Sequence, residues 1–217
     1  ANTSSNSKDN VEQLKSNLEI ATNENIKLKE EVARLTNEYK IKINALGDEG
    51  VESDIKTLSK ELERVNMIAC LSDVQGEGII IKMSDIENPD LDIVSPTSTI
   101  IHNKDIFETV NELRKAGAQA IAINGERILP MSELLCTGTT ITVNGSKLIY
   151  PFVITAIGDS ERLYTELNNS YIISYLISHG FDMNISKEKD LTINKYSGNV
   201  NKLIDRLEGV DSNEKGI

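Results

Sequence analysis

The chain has no tryptophan, three phenylalanines and six tyrosines among 217 residues, so Ile, Leu and Val must supply most of its core. It has two cysteines, Cys70 and Cys136, and neither belongs to a C-x-x-C pair or a Cys/His cluster; this excludes a zinc site and a thioredoxin-type motif. Two unpaired thiols packing as small hydrophobes are the simpler reading than a disulfide. No stretch approaches the ~18 continuous apolar residues of a transmembrane helix, and no signal peptide is present. Nor is there a basic surplus. Residues 8–65 carry 10 Lys and Arg against 13 Asp and Glu, a net of -3, which leaves -8 of the total -11 to the rest of the chain. Binding to a phosphate backbone needs a dense basic footprint, so nucleic acid is not an expected partner. G-x-x-x-x-G-K-[ST], H-E-x-x-H and G-x-S-x-G are all missing, which removes the usual starting points for nucleotidase and hydrolase chemistry. No cofactor is called for.

What the chain does have begins with a heptad pattern. Val11, Leu18, Asn25, Val32 and Tyr39 lie seven apart, and Leu14, Ala21, Leu28 and Leu35 follow three residues behind, the a and d positions of a coiled coil. Asn25 is the one polar residue in this seam, and an Asn at a tolerates little except another Asn opposite, which favours a parallel homodimer in register. Glu24 at g and Lys29 at the following e suit an interhelical ion pair; being exposed, it would contribute under about 1 kcal/mol and set orientation more than stability. The dimer seam is therefore expected at Val11, Leu14, Leu18, Asn25, Leu28, Val32 and Leu35, with residues 1–10 as a disordered Ser/Asn-rich leader. Because the first residue is Ala and not Met, the chain reads as a fragment from which an N-terminal segment has been removed.

Gly47-Asp48-Glu49-Gly50 predicts a break in the helix, after which Val51, Ile55, Leu58, Leu62 and Val65 restore a 4-3 stripe out of phase with the first. The second helix either folds back on the first or restarts the rod with a rotated face. A continuous rod over residues 11–65 would reach on the order of 80 Å at ~1.5 Å per residue.

Residues 66–197 read as an α+β domain, helices packed on a largely antiparallel sheet, with 198–217 as a tail. Ile79–Met83 is a buried strand by its β-branched run. Asn103 stands where a helix N-cap belongs, with Asp105 in the first turn, the stripe Ile106, Val110, Leu113, and Gly117 as terminator. Two hairpins share a template of strand, Asn-Gly turn and apolar return, residues 120–128 and 140–148. Tyr150–Ile157 is apolar nearly throughout and predicts a central strand. Two short helices are expected around Leu163 and Ile172, then two short strands, Met183–Ser186 and Leu191–Lys195, and a loose helix near Val200, Leu203 and Leu207.

By the second hairpin the residues form a recognisable set. Asn111–Gly125 (NELRKAGAQAIAING), Glu126-Arg127-Ile128, Cys136-Thr137-Gly138, Ile141–Gly145 and Pro151–Asp159 together resemble the bacterial domain-of-unknown-function family 881 over roughly residues 70–195. That resemblance implies an N-terminal membrane anchor, a coiled-coil stalk and an extracytoplasmic domain, in bacteria whose copies often lie near division and envelope genes. It implies no activity. The chain departs from the family at Leu135, where relatives often place Arg before the Cys-x-Gly, and in having no anchor.

Candidate chemistry is sparse. Gly76-x-Gly78 precedes a strand and so cannot wrap a phosphate at a helix N-terminus. His102, near Asp105, could act as an acid/base group, but a capping role at the helix start is simpler; His179 in a last helical turn complements the negative helix end. Asp85, Glu87, Asp90 and Asp92 form the best metal candidate, suited to Ca²⁺, although the loop lacks the Gly and terminal Glu of an EF-hand. Asn124, Glu126, Arg127 and Asp159 are candidate ligand or interaction residues, with the reservation that strand neighbours Glu126 and Arg127 point to opposite faces. The leading reading is a non-enzymatic envelope protein that presents an interaction domain to a protein or cell-wall partner. A domain sensing a small ligand or Ca²⁺ is the alternative, and an unrecognised enzyme the third.

Overall fold

A computed structural model describes residues 49–87, 89, 95–138, 140–200 and 206–207, together with isolated helical positions between 23 and 42. The expected seam residues Val11, Leu14, Leu18, Asn25, Leu28, Val32 and Leu35 lie outside the described residues, as do Asp90, Asp92 and Leu203. The chain divides into two compact units between Glu61 and Leu62.

Helix α1 spans Glu49–Ile68. Glu49 and Gly50, placed by the sequence in a break, are its first residues; Gly47 and Asp48 are not described. Its apolar stripe stays in solvent, with Leu58, Leu62 and Val65 64%, 61% and 52% exposed.

The domain proper runs β1 (Val74–Ser84), a 3-10 turn (Pro96–Thr99), α2 (Asn103–Lys115), β2 (Ala120–Ile123), β3 (Glu126–Arg127), β4 (Leu134–Thr137), β5 (Thr140–Val143), β6 (Ser146–Leu148), β7 (Phe152–Ile157), α3 (Ser160–Asn168), α4 (Tyr171–Ser178) and β8 (Asp182–Ile193). The strands form a five-stranded sheet in the order β3-β2-β7-β1-β8 and a three-stranded sheet β4-β5-β6. Every pairing is antiparallel, and the apolar β7 is central as its composition requires.

One face of the larger sheet presents Ile79, Ile81, Met83, Ile121, Ile123, Ile154 and Ala156 to the stripes of α2 (Ile106, Val110, Leu113), α3 (Leu163, Leu167) and α4 (Ile172, Ile173, Leu176). Ile141, Val143 and Leu148 of the smaller sheet join the same core. Full burial of each such side chain is worth about 1.5–3 kcal/mol, and this face holds the domain together. The opposite face carries a smaller cluster, Ala120, Ala122, Ile157, Leu191 and Ile193.

Four local readings are corrected. The N-cap of α2 is His102, one residue earlier than expected; its N–H donates to Asp105 Oδ2 at 2.8 Å, and Asn103 is already helical. Gly76 and Gly78 do not precede a strand but lie inside β1, flanking a register shift where Gly76 opposes Leu191 and Gly78 opposes Glu188. The two short final strands are one twelve-residue strand, β8. Within it Lys187 pairs with Ile79 and Glu188 with Gly78 at the sheet edge, Lys189 and Asp190 fall in the register shift, and charge on the open side of an edge strand discourages pairing with other chains. Finally β4, which the sequence does not announce, pairs Cys136 with Ile141.

Candidate functional site

The Asn124-Gly125 turn has φ of +47° and +83° at its two central residues, the conformation of a type I′ hairpin, and it sets Arg127 directly opposite Ala122. Directly opposed residues share a face, so Arg127 projects on the side of the small residues Ala120 and Ala122, away from the main core. Ala120 and Ala122 present only methyl groups on that face.

Arg127 is only 3% exposed, and its Nε and Nη1 are buried with no hydrogen-bond partner. Leaving a buried charged donor unsatisfied is among the more expensive features a fold can keep, of order several kcal/mol. The side chain borders a cavity of about 420 Å³ shared with Ile68, Cys70, Arg114, Gln119 and Leu129, and among the described residues no Asp or Glu lines it. Arg114, from the last turn of α2, gives only a long hydrogen bond to the Leu129 carbonyl, at 3.4 Å. Two arginine side chains thus line one cavity with no carboxylate among its described lining residues, in a chain of net charge -11.

The other candidates are distributed elsewhere. Glu126 points to the opposite side of β3, where its carboxylate accepts from Asn144 Nδ2 at 2.8 Å and Ser146 Oγ at 3.2 Å. Asn144 Nδ2 also donates to the Arg127 carbonyl at 2.8 Å, so this cluster ties the small sheet to β3. Asn124 clamps the strand next door: Val153 N–H donates to its Oδ1 at 2.6 Å, and its Nδ2 donates to the Ile149 carbonyl at 3.0 Å. Asp159 caps α3 by accepting from Arg162 N–H at 3.0 Å. Of the acidic loop, Asp85 Oδ1 accepts from Ile101 N–H at 2.8 Å and Glu87 is exposed. Among the described residues no group of three or more His, Cys, Asp or Glu is placed to hold a metal ion.

A second crevice, of about 460 Å³, joins residues far apart in sequence: His102, Asp105, Cys136 and Tyr175 line it. The Asn103 N–H donates to Cys136 Sγ at 3.2 Å, and His102 Nδ1 lies 3.9 Å from the same sulfur. His102 Nε2 is 2.7 Å from the Thr97 carbonyl, which can only accept, so Nε2 carries a proton and Nδ1 is the ring atom on the side of the thiol. Cys136 is exposed and free, whereas Cys70 is free and buried. No local pattern announces this pair, because the strand that carries Cys136 leaves no periodic signal.

A five-stranded antiparallel sheet with three helices and a three-stranded flap sharing one core, and an arginine-lined cavity beside its other face, defines an α+β domain. The chain belongs to the family described as bacterial protein of unknown function (DUF881), which it matches over residues 61–204. It is 33% identical over 142 residues to UPF0749 protein YlxW of Bacillus subtilis (strain 168), covering 64% of this chain and 61% of that protein. It is 29% identical over 125 residues to UPF0749 protein Rv1823 of Mycobacterium tuberculosis (strain ATCC 25618 / H37Rv), covering 55% of this chain and 41% of that one. The chain thus spans less than two thirds of either relative. A crystal structure of an uncharacterized conserved protein from Mycobacterium tuberculosis shares the fold, with a TM-score of 0.54 at 21% identity over 64% of this chain and 93% of that one.

Proposed function

We propose that the protein is a non-enzymatic, envelope-associated component in which a dimeric coiled-coil stalk presents the α+β domain to a protein or cell-wall partner, outside the cytoplasm and tethered by an N-terminal membrane anchor. A role in cell division or envelope organisation fits this arrangement. The observation that carries the reading is the stripe on α1. Leu58, Leu62 and Val65 recur at 4-3 spacing on a helix of otherwise polar character, and all three are more than half exposed. A helix that keeps such a stripe in water needs an apolar partner, and a second copy offers one of matching period.

Sedimentation tests it. The 217-residue chain is expected to sediment as a dimer, and Leu58→Asp/Leu62→Asp to shift it towards monomer with the domain's circular dichroism unchanged. A wild-type monomer at tens of micromolar would remove the stalk.

A further inference from the structure

We propose that the cavity beside Arg127 is a binding site for an organic oxyanion, its carboxylate or phosphate head held by Arg127 and Arg114 and its apolar body lying along Ile68 and Leu129. The inference is independent of the stalk. It starts from an oddity of the fold: a guanidinium 97% buried with two nitrogens unpartnered is a poor structural element, because an aliphatic side chain of similar size would fill the same place without the desolvation cost. A structural arginine would have a carboxylate, and the adjacent one, Glu126, points away and is engaged by Asn144 and Ser146.

The rest of the cavity agrees. Its second cation, Arg114, sits on a different element and is only loosely tied. The facing positions on β2 are alanines, which opens space in front of Arg127. The planar fork of arginine matches carboxylate and phosphate oxygens in pairs, and its field is strengthened by burial. A volume of about 420 Å³ exceeds what a bare inorganic anion needs and lies in the range of small-molecule sites. Ile68 and Leu129 then provide an apolar wall for the body of the ligand.

Calorimetric titration of the full chain with inorganic phosphate, octanoate and octyl phosphate tests the assignment, with melting temperature as a second readout. Wild type is expected to bind at least one of them, and Arg127→Met to weaken that binding by about tenfold or more. Arg127→Lys, which keeps the charge without the fork, should fall between. Arg114→Met changes an exposed residue, so it leaves the unliganded melting temperature unchanged and weakens binding; it keeps the test decisive should Arg127→Met fail to fold. Tighter binding of the octyl compounds than of phosphate supports the apolar wall, and phosphate binding as tightly as either overturns the organic part of the assignment. No binding of any probe at millimolar concentration, or equal affinities in wild type, Arg127→Lys and Arg114→Met, overturns the proposal.

Discussion

Gly78→Ala is the sharpest test of the sheet. Gly78 lies opposite Ile157 in the β1–β7 ladder, beside the register shift that β1 makes against β8. A Cβ at this position would run into the Ala156 carbonyl and come within 2.9 Å of the Ile157 Cα. Both are backbone atoms of the central strand, so no side-chain rotation relieves the clash and the two strands must separate locally. Overpacking of this kind costs about 1–3 kcal/mol, and loss of one or two ladder hydrogen bonds adds roughly 1 kcal/mol each. The sum, about 2–5 kcal/mol, is a large share of the ~5–15 kcal/mol that a domain possesses. With a urea m-value of about 2 kcal/mol/M, the unfolding midpoint should fall by roughly 1–2.5 M. Gly125→Ala is the control: nothing lies within 4 Å of its Cβ, so only the backbone strain at φ of +83° remains, about 1–2 kcal/mol. Gly76→Ala should be milder than Gly78→Ala, because its Cβ meets the movable Ile157 Cγ2 at 3.0 Å. A midpoint for Gly78→Ala within 0.5 M of wild type would refute the close approach of β1 and β7 (~1 kcal/mol).

Asn144→Ala removes the donor shared by Glu126 and the Arg127 carbonyl and forces an alanine to φ of +50°, so it should cost about 2–4 kcal/mol by urea denaturation; a cost below about 1 kcal/mol would mean the two sheets are coupled by other contacts. With a chromogenic disulfide reagent, Cys136 should react in the folded protein and Cys70 only on unfolding, since the first is exposed and the second 7% exposed. His102→Ala should slow the Cys136 reaction, because the imidazole lies beside that sulfur with Nδ1 at 3.9 Å; an unchanged rate would exclude the imidazole from the thiol's chemistry.

How far the sequence revealed this fold depends on which physical signal each element carries. The two Asn-Gly hairpins were legible because a type I′ turn demands two positive φ angles in a row, and 124–125 and 144–145 provide them. Their shared template nevertheless conceals different surroundings. Ala120-Ile-Ala-Ile is buried on both faces and belongs inside a layered sheet, whereas Thr140-Ile-Thr-Val alternates and covers one side of a small flap. Local pattern gave the hairpins and not the sheets they join. β8 was hidden because the charges that guard an edge strand imitate a turn, and β4 because four residues with no alternation carry no period.

The site was legible in a weaker sense. Arg127 drew attention as the neighbour of Glu126, but their proximity in sequence is what separates them: one residue along a strand reverses the face, so Glu126 ties the two sheets while Arg127 is buried without a counter-ion. That no described carboxylate reaches it is a property of the folded packing, and no spacing rule contains it. Cys136 and His102 make the same point from the other direction, since their juxtaposition depends on β4 docking at the start of α2, where Asn103 Nδ2 holds the Leu134 carbonyl at 3.0 Å. In this chain the chemistry-bearing residues are assembled by strand pairing and helix docking, and a reading based on local motifs therefore recovers the scaffold sooner than the sites it creates.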